Sequence, residues 1–175
     1  MSAGEELFSW AQSVIWALVT LVFISSFVFR ISGVSGKSMY PTLKHGDRVV
    51  VRLAGYDQPK RGDIVVVMAP EFDDEPLVKR VIALEGDTVD IVDDGTVYIN
   101  GEKIYEPYVN EAVFGGRDTE YPYTVPEGCV FVMGDNRNES ADSRMRRVGP
   151  LKVDDIIGQV CFRVWPVSGG SFGGI

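Results

Sequence analysis

A long stretch without charge opens the hydrophobic and polar pattern of the chain. Residues 7–29 contain no charged side chain, Glu5 and Glu6 precede them, and Arg30 follows. As a helix rising about 1.5 Å per residue, this stretch would span roughly 35 Å, enough to cross the hydrocarbon core of a bilayer. A cleaved signal peptide would have a basic start and a shorter apolar core, and a buried core helix is normally shorter. The pattern therefore favours a retained membrane anchor.

Short apolar runs separated by turn residues follow the anchor, and none of them has the long 3.6-residue periodicity of a helix. The dipeptides Asp94-Gly95 and Asn100-Gly101 indicate tight hairpins, because type I′ turns need positive φ. Residues 107–126 are rich in turn formers and are typical of a surface excursion. The predicted strands are residues 48–53, 63–68, 78–84, 88–92, 96–99, 102–105, 130–133 and 157–164. The predicted fold class is mainly β, with residues 1–30 as the membrane anchor and residues 31–175 as one β-rich domain.

The net charge of the chain limits the classes of molecule that it is expected to bind. The chain has 17 Lys+Arg against 25 Asp+Glu, for a net charge of −8, which argues against nucleic-acid binding. One histidine and two distant cysteines give no metal-site spacing, so neither a metal nor a cofactor is expected. An acidic domain close to anionic lipid is expected to face the lipid bilayer with an apolar or locally basic surface.

The first block that could carry chemistry is residues 35–43, just after the anchor. Ser38 is followed by Met39 and, after Tyr40, by Pro41, which fixes its own φ and biases Tyr40 towards extended conformations. Such a serine on a rigid turn is well placed to act as a nucleophile. The alternative is an ordinary linking loop.

The second block places Lys79 inside an apolar predicted strand, beside Val78 and Val81. Lysine is seldom fully buried, and burial would lower the pKa of its amine, as a lysine general base requires. The alternative is an edge strand whose Lys79-Arg80 pair faces water.

The third block, residues 134–144, follows a predicted buried strand. Asp142 and Arg144 are close enough to order a loop through a charge-assisted contact, and the Ser140 hydroxyl could hold a neutral lysine amine. The alternative is a polar turn with weak surface ion pairs.

These blocks, in this order behind an anchor, resemble the bacterial type I signal peptidases, and more closely their single-anchor Gram-positive form. The resemblance covers residues 36–43, 62–66, 79–87 and 134–144. It implies antiparallel sheets of the signal-peptidase type and a serine endopeptidase with a Ser/Lys dyad that cuts signal-peptide-bearing precursor proteins after small residues. The implied localisation is the cell membrane, single-pass, with the catalytic domain on the extracytoplasmic side.

The resemblance also assigns roles to individual residues. Ser38 aligns with the nucleophile, Lys79 with the general base and Ser140 with the hydroxyl that orients this lysine. Asp142 and Arg144 align with a supporting pair, and Val34 and Val78 with the walls of the substrate pockets. Some members carry a second serine that helps to form the oxyanion hole, where this chain has Gly36, which is expected to allow a close backbone approach.

Two other functions and one conflict stay open at this stage. The chain could be another Ser-Lys enzyme, such as a self-cleaving repressor, or a non-catalytic anchored β-domain that binds partners. The positive-inside rule opposes the implied topology, because Arg30 and Lys37 follow the anchor and no basic residue precedes it.

Several residues outside the blocks are given structural interpretations. His45 is expected to be an exposed turn residue, and Cys129 and Cys161 two buried, unpaired thiols. Arg146 and Arg147 are expected to be solvated, with contacts to lipid phosphates as the alternative. Trp165 could be core or could lie at the bilayer interface, together with Phe172 and Ile175.

Overall fold

The anchor is one long helix. The computed structural model describes residues 3–69, 73–109, 111, 113 and 118–166, and its first element is helix α1, Ala3–Val28. A window of 18 residues within Gly4–Val28 has a mean hydropathy of 2.0, and no part of this window is buried inside the protein. Phe172 and Ile175 lie outside the described residues. The length and exposure of α1 fit a helix that crosses a membrane.

The polar side chains within α1 are satisfied locally. The hydroxyls of Ser13, Ser25 and Ser26 each donate a hydrogen bond to the backbone carbonyl four residues earlier, at 2.7–2.9 Å. These bonds remove the need for water as a partner. The serines that make α1 only moderately apolar are therefore compatible with a hydrocarbon environment.

Two antiparallel sheets form the rest of the described chain. The larger has the order β1-β2-β11-β3-β4-β9-β10, and the smaller has the order β7-β6-β5-β8. The strands are β1 Phe29–Gly33, β2 Arg48–Arg52, β3 Ile64–Ala69, β4 Asp73–Ala83, β5 Thr88–Ile91, β6 Val97–Ile99, β7 Glu102–Lys103, β8 Tyr123–Thr124, β9 Cys129–Met133, β10 Leu151–Lys152 and β11 Ile156–Trp165, with a 3-10 turn at Val153–Asp155. The fold class predicted from the sequence is confirmed.

Alternating side chains of the larger sheet pack into separate cores. Ile64 on β3 joins the cluster that holds the loop after β1, whereas its neighbour Val65 joins a cluster with Val81 and Val132. A third cluster, which includes Phe131 and Met133, packs the larger sheet against the smaller one. Strand β4 lies between β3 and β9, so it is the strand around which these cores meet.

The structure differs from the sequence prediction at several boundaries. The last apolar residue of the anchor stretch, Phe29, begins β1 instead of ending the helix, because it pairs with Arg52 of β2. Strand β4 begins at Asp73, before the predicted start at residue 78. Strands β1, β8 and β10 were not predicted, and β7 has only two of the four residues predicted at 102–105. Strand β1 was hidden at the end of the anchor stretch, and the two residues of β8 and of β10 are too few to show a periodic pattern.

The two predicted hairpin turns differ from each other. Asn100 and Gly101 both have positive φ, as a type I′ turn requires. At the other turn only Gly95 has positive φ, so the expectation of type I′ geometry at Asp94-Gly95 was wrong. That turn is closed instead by the Gly95 N–H, which donates to the carbonyl of Val92.

The excursion at residues 107–126 is not wholly on the surface. Val125 is buried in the core between the sheets, and Tyr108 is partly buried against the guanidinium of Arg80, 4.0 Å from its ring centroid. Turn-forming composition indicated exposure, but apolar and aromatic residues between the turns pack inwards.

The two cysteines lie on different strands of the larger sheet. Cys129 is on β9 and Cys161 on β11, and β3 and β4 lie between them. Three strand spacings place them roughly 14 Å apart, beyond the ~7 Å reach of a disulfide. Both are free, as expected, but they are half-buried instead of buried.

Candidate active site

Apolar residues on both sides of Ser38 fix the loop that carries it. Met39 and Leu43 are buried in the core with β2 and β3, and the Leu43 N–H donates to the carbonyl of Met39 at 2.8 Å. The loop is closed at its ends, where the Val34 N–H donates to Asp47 O and the Gly46 N–H donates to Val34 O. Ser38 itself is half-buried. The side chain predicted to be the nucleophile therefore lies on a firmly held turn with access to the surface.

Lys79 is buried within β4, and its exposed fraction is 3%. This burial lowers the pKa of its amine from 10.5 to about 8; the carboxylate of Asp142 opposes the shift, and the guanidinium of Arg144 adds to it. The prediction of a desolvated lysine is confirmed over the alternative of a solvated edge pair. At pH 7, one unit below this pKa, about a tenth of this lysine is uncharged and able to accept a proton, whereas almost none would be at a pKa of 10.5.

Gly134 occupies the position across from Lys79. Arg80 pairs with Met133, so the antiparallel register brings Lys79 opposite the next residue of the chain, Gly134. A Cβ atom at Gly134 would collide with the Ser140 hydroxyl and with the carbonyl oxygen of Ser38. The space left by the missing side chain is therefore where Ser38 and Ser140 come together, beside the strand β4 that carries Lys79.

The Ser140 hydroxyl is buried without a hydrogen bond of good geometry to any described residue. It lies close enough to Asp142 to help lower the pKa of that carboxyl group. A buried hydroxyl whose only hydrogen bond is poorly formed is costly. The neutral amine of a lysine across from Gly134 is a partner that this hydroxyl could hold.

Asp142 and Arg144 form a buried, two-pronged ion pair. Arg144 Nε lies 2.8 Å from Asp142 Oδ1, and Arg144 Nη2 lies 2.9 Å from Asp142 Oδ2. Arg144 also donates to the carbonyl of Arg137, and Asp142 accepts the Gly134 N–H at 3.0 Å. Burial alone would raise the pKa of Asp142, but Arg144 and the Gly134 N–H hold it below its ordinary value. The pair is therefore ionised and fixes the loop around Gly134.

A second network, which the sequence did not reveal, holds the loop between β1 and β2 that carries Ser38, called the serine loop below. Asn136 donates its backbone N–H to the carbonyl of Ser38 at 3.0 Å and its side-chain amide to the carbonyl of Lys37 at 3.1 Å. Thr42 donates its hydroxyl to Asp135 at 2.5 Å. Asp135 also accepts two bonds from Arg80, the neighbour of Lys79. One short segment, residues 135–136, therefore joins the serine loop to the lysine strand.

Gly36 and His45 interact with each other. The Gly36 N–H donates to Nδ1 of His45 at 3.3 Å, and both residues are exposed. Gly36 has φ of +89°, and nothing lies within 4 Å of where its Cβ would be. The positive φ is one reason for glycine here, and the close backbone approach expected at this position stays a prediction. His45 is the exposed turn residue expected, and it supports the loop.

Val34 and Val78 share one hydrophobic cluster with Met39. Val34 is 6% exposed, whereas Val78 is half-buried at the edge of the cluster. The structure thus brings together the two valines that the resemblance placed in the substrate pockets, and their contact with substrate stays a prediction.

The remaining candidates lie outside the site. Arg146 is ion-paired with Glu120, and its backbone N–H donates to Asp118, so an acidic partner occupies it. Trp165 is 61% exposed at the end of β11, which excludes the core position. No group of three or more potential metal ligands occurs among the residues that the structure describes.

Comparisons with known proteins agree on one family. The profile of the family described as signal peptidase, peptidase S26, matches residues 7–165. The chain is 38% identical to signal peptidase IB of Staphylococcus aureus over 181 aligned positions, covering 94% of this chain and 92% of that protein. It is 45% identical to signal peptidase I of Bacillus licheniformis over 151 positions, covering 80% and 79%. The crystal structure of a signal peptidase I from Enterococcus faecalis matches with a TM-score of 0.50 and 37% identity, covering 59% of this chain and 97% of that one.

Proposed function

Because the chain belongs to the signal peptidase family, peptidase S26, and is a membrane-anchored serine endopeptidase that removes signal peptides, we propose that Ser38 and Lys79 are its catalytic dyad. Membership of this family sets aside the two alternatives that the sequence left open. The proposal assigns the chemistry to one loop and one strand of this chain, and it needs neither a metal nor a cofactor.

The observation that carries the proposal is the environment of Lys79. Its exposed fraction of 3% and its pKa of about 8 suit a general base at neutral pH. The gap at Gly134 brings the backbone of Ser38 and the hydroxyl of Ser140 to the strand position opposite this lysine. A surface lysine in a solvated ion pair would have none of these features.

In the proposed reaction, neutral Lys79 accepts the proton of the Ser38 hydroxyl while the serine oxygen attacks the scissile carbonyl. The C–N bond then breaks, the leaving amine takes the proton from Lys79, and an acyl-enzyme on Ser38 remains. Lys79 next accepts a proton from water, whose oxygen attacks the ester carbonyl. The C–O bond to Ser38 then breaks, the serine oxygen takes the proton back from Lys79, and the acid is released. Ser140 holds the lysine amine, and Asp142 with Arg144 fixes the position of Ser140.

Substrates of this proposed site are exported precursors with small residues before the cleavage site. Val34 and Val78 would form the walls of two shallow pockets beside an extended segment of substrate, which would bind as an added strand. Their membership of one cluster with Met39 supports a shared position next to the serine loop.

Replacement of each dyad residue tests the proposal. Ser38→Ala and Lys79→Ala should each lower the cleavage rate of a signal-peptide-bearing precursor by roughly 10⁴-fold or more, because the nucleophile or the base is lost. Ser35→Ala, in the same loop, and Lys103→Ala, an exposed lysine on β7, are matched controls and should cleave normally. Circular dichroism checks that each variant is folded. Normal cleavage by a folded Ser38→Ala or Lys79→Ala variant rejects the dyad.

We also propose a single membrane crossing, with residues 1–30 as the anchor and residues 31–175 as a catalytic domain outside the cytoplasm. Support comes from one helix of spanning length among the described residues and from the side of the membrane on which exported precursors emerge.

A further inference from the structure

A cleft of about 550 Å³ lies where the membrane helix meets the larger sheet. The helix wall is formed by the last turns of α1, including Leu21, Val22 and Ser26, and the sheet wall includes Ile31 and Phe162. The volume falls in the range of about 300–1,000 Å³ that is typical of small-ligand sites. The lining is mainly apolar, and it is part of neither the dyad nor its supporting loop.

The sheet wall of the cleft is an exposed apolar face. Phe29 and Ile31 of β1 lie on the same side of the sheet, and Ile31 pairs with Val50, which in turn pairs with Phe162 of β11. Side chains directly opposite each other on paired strands share a face. Their exposed fractions are large, at 46% for Phe29, 60% for Ile31 and 45% for Phe162. In a water-soluble domain such a patch would be unfavourable, so it indicates an apolar partner.

The charge on the same three strands is opposite to that of the whole chain. Strands β1, β2 and β11 contain the arginines 30, 48, 52 and 163 and no acidic residue, whereas the chain carries a net charge of −8. Arg163 is ion-paired with Asp47, which precedes β2. Arg30 borders the cleft at the free edge of β1, where its side chain alternates with those of Phe29 and Ile31, and Arg48 is exposed at the far end of β2. An apolar cleft bordered by cations matches a molecule with a hydrocarbon chain and an anionic head.

We propose that this cleft binds one phospholipid with an anionic headgroup, its acyl chain between α1 and the sheet and its phosphate at Arg30. The helix residues that line the cleft belong to the membrane-spanning segment, and Arg30 follows two residues after its end. The cleft therefore opens where hydrocarbon gives way to headgroups. The proposal depends on the membrane anchor and not on the chemistry of Ser38 and Lys79.

The first test fills the cleft. The full chain is reconstituted in vesicles of equal parts dioleoylphosphatidylglycerol and dioleoylphosphatidylcholine, extracted in mild detergent, and its retained lipid is counted by native mass spectrometry. Ser26→Phe puts a ring into the cleft and should abolish retention. Ser13→Phe alters a serine with the same hydrogen bond to its own helix, but outside the cleft, and should retain lipid like the unmodified chain.

The second test removes the charge. The unmodified chain should retain phosphatidylglycerol about fivefold more than phosphatidylcholine, the contribution expected from one arginine near an anionic headgroup. Arg30→Gln should bring this ratio close to one, whereas Arg147→Gln, an exposed arginine outside the three strands, should leave it unchanged.

The outcomes separate this proposal from that of the dyad. Equal lipid retention by Ser26→Phe and Ser13→Phe rejects the cleft as a lipid-binding site, and so does a lack of retained lipid in the unmodified chain. An unchanged ratio of phosphatidylglycerol to phosphatidylcholine in Arg30→Gln rejects it as well. Displacement of retained lipid by a synthetic signal peptide would assign the cleft to the substrate and reject a resident lipid. The inactive Ser38→Ala chain should retain lipid normally, so a failed dyad experiment does not alter this result.

Discussion

At the scale of single residues, the free-energy cost of burying the charged form of Lys79 is what suits this residue to the proposed role of general base. A lysine with a pKa of about 8 instead of 10.5 resists protonation, and burial is the main cause. An unpaired Asp142 carboxylate would raise the pKa of Lys79 towards its ordinary value, but this carboxylate is paired with Arg144. The carboxylate of Asp142 therefore lies near the lysine amine, but Arg144 offsets part of its negative charge.

The pH dependence of cleavage follows from this pKa. The kcat/KM value should rise with pH as Lys79 loses its proton, with a midpoint near pH 8. The measurement is a pH profile of cleavage of a short peptide at constant ionic strength. A profile that stays flat from pH 6 to pH 9 would contradict a lysine base.

A stability measurement is the control for this profile. The folded pKa of Lys79 is lower than the unfolded one, so burial of the charged form destabilises the fold at pH values below about 8, and this cost disappears as pH rises to 10.5. Lys79→Met should therefore be inactive but up to about 3 kcal/mol more stable at pH 7, and the gain should vanish at high pH. A loss of stability at pH 7 would show that Lys79 is charged and paired in the fold.

The residues that the sequence revealed differ physically from those it did not. Lys79 and Ser140 stood out because each is unusual in its local setting, a cation in an apolar strand and a hydroxyl beside an ion pair. Asn136 and Thr42 have ordinary settings, and only the fold brings their donors to the serine loop and to Asp135. Contacts across some 90 residues of chain leave no local pattern.

At the scale of elements, the register between β4 and β9 assembles the site. Lys79 faces Gly134 because Arg80 is paired with Met133 and Val81 with Val132. A slip by one residue would turn every side chain of β9 to the other face. The buried valines of both strands and the bonds between Val132 and Ser143 resist such a slip. The strands were predictable from their apolar runs, but their pairing was not.

Gly134→Ala tests the space between these two strands. Its methyl group would collide with the backbone of Ser38 and the hydroxyl of Ser140, so the cleavage rate should fall by about 10²-fold, as for other displaced catalytic groups. Overpacking should also cost about 1–3 kcal/mol of stability. The measurements are cleavage kinetics and thermal unfolding.

Gly33→Ala is the matched control, because nothing lies within 4 Å of a Cβ atom at that position in β1. It should keep both activity and stability close to those of the unmodified chain. Normal kinetics in Gly134→Ala would mean that Ser38 and Ser140 do not meet at this glycine.

At the scale of the whole molecule, the charge is divided between distinct regions. Acidic residues predominate in the whole chain, yet arginines are the only charged residues of β1, β2 and β11, the three strands next to α1. The sequence indicated that the membrane-facing side had to be apolar or locally basic. It could not indicate which strands would form that side, because β1, β2 and β11 are brought together only by long-range pairing.

The proposed orientation can be tested in intact cells. Protease added outside should digest residues beyond the anchor, and in inverted membrane vesicles the same region should be protected. Because Arg30 and Lys37 favour the opposite topology, replacing Glu5 and Glu6 with lysine should strengthen the proposed orientation and not reverse it. Protection of the domain in intact cells would place it in the cytoplasm.

The direct passage from α1 into β1 has a further consequence. The helix ends at Val28 and the strand begins at Phe29, and the Val28 carbonyl accepts the N–H of Leu53, so the junction has no slack. With no tether to lengthen or swing, the height of Ser38 over the bilayer is set by the fold. With Ser38 as the proposed nucleophile, only peptide bonds presented at that height would be cut, so the rigid junction would fix the distance between the bilayer surface and the cleaved bond.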